Sequence, residues 1–492
     1  MNDNNRCKYD MANRKDKRSE IINFFQSRPG ESYYLRALSR RLVIDPGNLS
    51  RLLKDLVSQR QLVAKKEGNR AYFSLSDEFK RVAVSEDEVK KALKRLEPKL
   101  IKFCQDLIRI PSVCGEHPEE KVAEFIKDHA QSLGLKVQKV AKDKNRPNLV
   151  IDTEPSKKEN FLFLGHMDTV GVGAIDNWRY YPFSAHKSGG RIYGRGAADM
   201  KAGIACEIYL MKLVRDLGLE LPFNLRTVLV ANEEGGSTAT PIFDIGMDFL
   251  IKEGLVEGKA AIYGYGGAYN VGIGHRGVLR VKISTFGELA HTGSIKTQKR
   301  ERGINAVTGM AEILLALEEM KLVQFKHPHF PKHKNIITPG GMIRHGGTAI
   351  SSIPDYCESV VEVRYLPRFP INKTYHRIKD LAERIAKKRG IKVNLEKFVE
   401  ISAVCLAPDE KIIDALRDAC QEVYRQPVSI RGTGPANESF LLIKRGIPTV
   451  VFGPIGGRAH SDDEFVQIKS LTKTLEVYLK TLTSFADPGE FP

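Results

Sequence analysis

His166 and Asp168 stand two residues apart at the end of the apolar run "NFLFLGHMDTVG", and the two-residue period of a strand puts both side chains on one side. A histidine and a carboxylate so placed can share a metal site. Further along, "RIYGRGAADMKAGIA" sets Asp199 just ahead of an amphipathic helix pattern, and "LVANEEGGS" ends another apolar run with the adjacent carboxylates Glu233 and Glu234. "VVFGPIGGRAHSDDEFV" then supplies His460 from a glycine-rich loop after a strand. Adjacent residues face differently, so one glutamate can ligate while its neighbour acts as a base. Oxygen and imidazole donors without thiolate suit zinc, cobalt or manganese in a catalytic rather than a structural site.

The elements that must position these residues alternate along the chain. Strand runs such as "NLVIDT", "NFLFLGH", "LRTVLVANEE" and "GKAAIYGY" are interleaved with helix patterns such as "EKVAEFIKDHAQSLG" and "KAGIACEIYLMKLVRDLG", which argues an α/β domain with a largely parallel sheet. Residues 278–395 change character: "GVLRVKISTFG" and "CESVVEVRYL" flank "NAVTGMAEILLALEEM" and "HRIKDLAERIAKKRG", an α+β domain inserted between 90–277 and 396–488. At 492 residues the chain exceeds what one hydrophobic core usually serves, so two or three domains are expected.

Composition excludes some classes. With 42% hydrophobic and 28% charged residues and no apolar run near the roughly 20 residues of a bilayer span, membrane insertion is not expected. The polar start "MNDNNRCKYDMANRKDKRSE" lacks a secretory apolar core, and the seven cysteines are scattered and odd in number, so a reducing cytoplasm with free thiols is expected.

The net charge of +17 is concentrated: residues 13–75 hold 14 Lys and Arg against 6 Asp and Glu. Such a footprint attracts polyanions. "KRSEIINFFQSR", "YYLRALSRRL" and "DPGNLSRLLKDLVSQR" read as three successive helices, the last opened by Asp45, Pro46 and Asn48, and "LVAKKEGNRAYFSLS" reads as a hairpin. Residues 13–80 therefore resemble the winged helix-turn-helix of small bacterial and archaeal transcription regulators. The resemblance implies duplex DNA as a partner, with Asn48, Ser50, Arg51 and Lys54 toward base edges and Lys65, Lys66 and Arg70 on the wing near phosphates. A winged helix used only for protein contact or dimerisation remains the alternative. The helix pattern "SEDEVKKALKRLEPKLIKFCQDLIRI" leads out of this head, with a boundary near 82–90.

Residues 95 to 485 resemble, motif by motif and in order, the co-catalytic zinc metallopeptidase and amidohydrolase family that includes acetylornithine deacetylase, succinyl-diaminopimelate desuccinylase, aminoacylases and glutamate carboxypeptidase. The resemblance implies a metallohydrolase domain with an inserted lid and dimerisation domain. It implies that His166 and His460 each bind one of two zinc ions (cobalt or manganese being alternatives), that Asp199 bridges them, and that Glu234 ligates beside His166. Glu233 would be the general base and Asp168 would orient His166. His291 in "ELAHTGS" would hold the substrate, often from the partner in a homodimer, Arg364 in "VEVRYLP" would bind a substrate α-carboxylate, and Thr433 and Gly434 in "RGTGPANES" would lie near it. The substrate so implied is an N-acyl amino acid or a short peptide.

Two positions depart from the family pattern. Ten residues before His275, where the family presents a carboxylate to the second metal, "AAIYGYGG" presents Tyr265, whose neutral phenol is a poor ligand at pH 7. Ser351 stands where an asparagine is common. The second site then keeps only Asp199 and His460, so the second metal binds weakly, a nearby group substitutes, or one metal suffices. The rival reading is a metabolite-sensing transcription regulator with a weakly active or inactive hydrolase-like body.

Overall fold

The computed structural model describes residues 17–18, 20–22, 24–25, 31–59, 61–76, 84–237, 244–267, 269–347 and 349–486. Both ends of the expected head, 13–16 and 77–80, lie outside the described residues, as do the boundary positions 82–83 and the last two residues of 396–488.

In the head, helix Pro46–Ser58 starts where its sequence dictates. Asp45 Oδ1 accepts from the amides of Gly47 and Asn48, each at 3.0 Å, and Pro46 fills the first turn, where no amide hydrogen is needed. Strands Leu62–Glu67 and Arg70–Leu75 pair antiparallel across a two-residue turn, and Tyr33–Tyr34 adds a third strand beside Arg70–Leu75. Leu38 and Leu42 of helix Leu35–Leu42 and Leu49, Leu52, Leu53 and Leu56 of helix Pro46–Ser58 close a small core with Leu62 and Leu75 of the hairpin. Helix Glu86–Arg109 follows, begun by a reciprocal cap between Ser85 and Glu88.

The largest sheet has nine strands. At its centre Asn224–Val230, Asn160–His166, Ala260–Tyr263 and Thr449–Val451 run parallel, and Asn160–His166 is buried over six of its seven residues. A strand covered on both faces reads as a continuous apolar run, which is why these were legible. The flanks turn antiparallel: Asn148–Asp152 against Asn224–Val230, Lys136–Val140 beyond it, and Val404–Cys405 against Asn270–His275. Helix Lys201–Asp216, buried along 13 of its 16 residues, lies between the sheet and helices Glu86–Arg109 and Ile468–Ala486.

A four-stranded antiparallel sheet, ordered Ile336–Gly346, Tyr356–Tyr365, Gly277–Phe286 and Lys392–Ile401, carries helices Ala306–Glu318 and Ile371–Arg389 on one face around a separate core. Strand Lys392–Ile401 runs across residue 395, the expected end of the inserted domain. It pairs with Gly277–Phe286 as far as Ile401, with one register shift between Arg280 and Val281, so "KVNLEKFVEI" forms a single strand across that position. A small four-stranded sheet was also not anticipated. Its strands Arg191–Tyr193 and Phe465–Gln467 pair antiparallel and bring two distant loops together.

No helix is long and apolar enough to cross a membrane among the described residues. The six described cysteines are unpaired.

Candidate metal centre

Three neighbouring parallel strands end at one place. In register, His166 lies beside Val230 and Leu164 beside Tyr263, so the chain leaving these strands delivers Glu233 and Glu234 on one side of His166 and Tyr265 on the other. Crevices at the carboxyl ends of parallel strands are where α/β sheets bind ligands. Gly203, on helix Lys201–Asp216, lets that helix approach the Tyr265 loop: a Cβ there would fall 1.8 Å from the Gly264 carbonyl oxygen.

Asp199 and His460 arrive from the two loops joined by the small sheet. His166 Nε2 is 3.0 Å from Asp199 Oδ1, and His460 Nε2 is 3.4 Å from Asp199 Oδ2 and 2.8 Å from Glu234 Oε1. Asp199 thus offers one oxygen to each histidine. Two groups of donors emerge whose atoms lie within 4.8 Å of one another: His166, Glu233 and Glu234, and Asp199, Glu234 and His460. Glu234 belongs to both. Of the alternatives left open for the second site, the Glu234 carboxylate is a nearby group within reach of the second histidine.

Asp168 also acts differently from the expectation. His166 Nδ1 meets the backbone carbonyl of Asp168 at 3.0 Å, while the nearer carboxylate oxygen is 3.8 Å away. The carboxylate instead accepts the amides of Glu233 at 3.1 Å and Glu234 at 2.9 Å. The aspartate therefore fixes the backbone of both glutamates, and orients the imidazole through its main chain.

The electrostatics fit a site for divalent cations. Burial works against a charged His166, but its hydrogen bond to Asp199 and the charge of Glu233 outweigh that and raise its pKa. Hydrogen bonds to Asp199 and Glu234 push His460 up to about 10. Burial, with Glu234, Glu438 and Asp199 nearby, lifts Glu233 well above the usual carboxylate range despite His166. Without metal, the cluster balances its anions by holding protons, and a dication takes the place of such protons on imidazole and carboxylate. No thiol enters either donor group, as oxygen- and nitrogen-binding cations require.

Tyr265 faces the same place. Its hydroxyl oxygen accepts from Asn437 Nδ2 at 3.2 Å, and burial, with Asp199 nearby, drives its pKa further above 10. It stands there as a neutral phenol.

Of the expected substrate residues, Arg364 lies on strand Tyr356–Tyr365 and gives its Nε to Glu362 at 2.7 Å, a carboxylate shared with Arg280. Thr433 ends strand Ser429–Thr433 and takes the Arg276 amide on its carbonyl at 3.2 Å. A Cβ on Gly434 would meet His333 Nε2 at 3.0 Å and Arg276 Nη2 at 3.5 Å. His291 is exposed on the short strand Ala290–His291, and its Nδ1 accepts from the Gly293 amide. No hydrogen bond or ion pair joins it to the donor groups among the described residues. Ser351 offers its carbonyl to the Thr292 amide. In the head, Asn48, Arg51, Lys54, Lys65, Lys66 and Arg70 are exposed and Ser50 half-buried, with Arg51 Nη2 bonded to Asn48 Oδ1 at 3.1 Å.

Residue-type patterns missed several contributors. Glu464 is buried and accepts Arg195 Nη1 (2.6 Å) and the amides of Gly196 (3.1 Å), Ala198 (2.8 Å) and Asp199 (3.0 Å), fixing the loop that carries Asp199. Its signal was its place four residues after His460. Glu438 is wholly buried, and that burial pushes it up to about 8. Flanked by Asn437 and Ser439 in "PANESF", it looked like an ordinary loop carboxylate. Arg276 and His333, which crowd Gly434, carried none.

The model of peptidase family M20/M25/M40 matches residues 162–484, and the chain belongs to that family. It is a hydrolase of that family. It is 26% identical over 390 residues to the N-formyl-4-amino-5-aminomethyl-2-methylpyrimidine deformylase of Bacillus subtilis, covering 74% of this chain and 89% of that one. It is 24% identical over 399 residues to the succinyl-diaminopimelate desuccinylase of Pelagibacter ubique, covering 78% and 98%. Among solved structures, a dinuclear metal-binding M20 peptidase of Bacillus subtilis superposes with a TM-score of 0.57 at 16% identity, over 79% of this chain and 98% of that one, a likeness of fold.

Proposed function

We propose that this protein is a metal-dependent hydrolase of the amide bond in N-acyl amino acids or short peptides. The observation that carries the reading is the convergence of His166, Asp199, Glu233, Glu234 and His460 into two donor groups sharing Glu234 at the carboxyl ends of parallel strands. His166, Glu234, Asp199 and His460 would hold zinc, with cobalt or manganese as alternatives. A bound divalent cation supplies Lewis acidity, lowering the pKa of water and stabilising the oxyanion formed at the attacked carbonyl.

The chain's own residues do the rest. Glu233 takes the proton of the attacking water and returns it to the departing amine nitrogen, which balances the hydrolysis without another acid. Asp168 keeps Glu233 and Glu234 in place through their amides. Arg364, with Thr433 and Gly434, holds a substrate carboxylate, and His291 reaches a partner's site in a homodimer formed through the inserted domain. A monomer by sedimentation, at full activity, would remove that role of His291. The unpaired cysteines support a cytoplasmic setting.

The same reading makes residues 13–80 a winged helix-turn-helix that binds duplex DNA, supported by the exposed cations along helix Pro46–Ser58 and the hairpin. Arg51→Ala and Lys54→Ala in the full chain test it: DNA affinity should fall and its salt dependence become shallower, while hydrolysis is unchanged. Absence of any DNA binding by the wild type at low salt would make the head a protein-contact module.

Tyr265 favours a second reading, a regulator that binds its metabolite without turnover. The two are separated by turnover, which the second reading denies to the wild type; Tyr265→Glu tests the metal site alone, by putting an anionic oxygen near Asp199. Calorimetric titration of metal into metal-free protein should then show the weaker metal equivalent tightened by about tenfold or more, as an added anionic ligand implies. Two equally tight equivalents in the wild type would show that Glu234 already completes the second group.

A further inference from the structure

Asn232, the residue before Glu233, is buried and holds φ at +67°, in the left-handed region. Its surroundings over-determine that conformation. The Asn232 amide donates to Glu119 Oε1 at 3.1 Å, while Asn232 Oδ1 accepts Arg146 Nη1 at 2.8 Å and the Cys114 thiol at 3.3 Å. Arg146 also clamps Glu119, through Nε at 2.8 Å and Nη2 at 2.5 Å. Glu119 is wholly buried and precedes helix Glu120–Ser132, and Arg146 sits just ahead of strand Asn148–Asp152. Beyond the two glutamates the chain folds back over the same atoms: a Cβ on Gly235 would fall 2.3 Å from Asn232 Oδ1.

The turn that carries Glu233 is therefore gripped from two sides. Asp168 takes the amides of Glu233 and Glu234 from one side, and the Glu119–Arg146 pair takes both the amide and the side chain of Asn232 from the other. Arg146 uses one guanidinium arm on Asn232 although Glu119 already neutralises it, which a pair serving stability alone would not require. A base must lie within hydrogen-bond reach of the proton it removes, and a misplacement of about 1 Å costs roughly a hundredfold in rate.

We propose that Arg146, acting with Glu119 through Asn232, is the positioning residue that aims the Glu233 carboxylate. The inference rests on the reading of Glu233 as the base. Arg146 belongs to neither donor group, so its loss is expected to act on the rate of reaction and not on metal binding.

Two variants of the metal-loaded full chain test it on the N-acyl amino acid that the wild type hydrolyses best. Asn232→Gly leaves the Glu119–Arg146 pair intact and tolerates a positive φ, so it removes only the side-chain grip. Arg146→Lys keeps a cation beside Glu119 but lacks the second arm. Each should lower kcat by about 10- to 100-fold with KM within about twofold and with metal content unchanged, and the double variant should be no worse than the poorer single one, because both cut the same chain of contacts. Full kcat in either folded variant, a loss carried by KM, or a loss of bound metal would overturn the proposal. Glu233→Gln, measured alongside, separates the two levels: an active Glu233→Gln removes the base assignment itself, whereas an inactive Glu233→Gln beside a fully active Asn232→Gly removes only the role of Arg146.

Discussion

Glu233→Gln is expected to keep its fold and its metal and to lose kcat by about two to four powers of ten, the usual worth of a general base. The amide has the shape of the carboxyl and keeps the backbone amide bonded to Asp168, so neither packing nor the Glu234 position changes. What it lacks is the ability to accept a proton. His166, Asp199, Glu234 and His460 remain as donors, and metal content by elemental analysis should match the wild type. A variant that lost metal along with activity would make Glu233 a ligand instead, a role its place in the group with His166 and Glu234 allows.

Glu464→Ala should be the most damaging substitution outside the donor groups. It strands Arg195, whose side chain is 2% exposed, as an uncompensated buried charge, a change that costs about 3 to 5 kcal/mol where a buried pair is broken from one side. It also releases the amides of Gly196, Ala198 and Asp199, so Asp199 loses the support that sets it between the two histidines. Thermal unfolding should shift down by several degrees, and metal should bind more weakly in what remains folded. Glu464→Gln keeps the shape and the backbone acceptors on one side, and should fall between the two. Wild-type melting and metal affinity in Glu464→Ala would show that the Asp199 loop is held by other contacts.

His460 stood out only by its glycine-rich loop, whereas the other candidate donors each sit at the end of a buried strand or ahead of an apolar helix, where the chain changes from core to loop. His166 and Glu233–Glu234 are of this kind, and the period-two argument placed His166 and Asp168 on one side. The partners of those residues were not legible, because they come from far along the chain. Glu464 lies 265 residues from the Asp199 amide it holds, and Glu119 lies 113 residues from that of Asn232. Local pattern cannot pair such positions, and a carboxylate in a polar stretch such as "HSDDEF" resembles an ordinary surface residue until the small sheet of Arg191–Tyr193 and Phe465–Gln467 buries it. The direction taken by Asp168 was hidden for a related reason: the period fixes the side of a strand, but which donors wait there depends on the neighbouring strand. The edge strand Lys136–Val140 went unseen because, only partly buried, it lacks the continuous apolar run that marked the centre, and the run of Asn148–Asp152 gave the strand without its antiparallel direction.

The most direct test of metal-dependent amide hydrolysis is to assay one preparation against a panel of N-formyl, N-acetyl and N-succinyl amino acids and dipeptides before chelation, after chelation and after zinc is returned, with bound metal measured at each stage. The account predicts cleavage of at least one member, loss of that activity with loss of bound metal, and recovery of both when zinc is restored. Turnover that persists in metal-free protein, or fully loaded protein that cleaves no member of the panel, would contradict it.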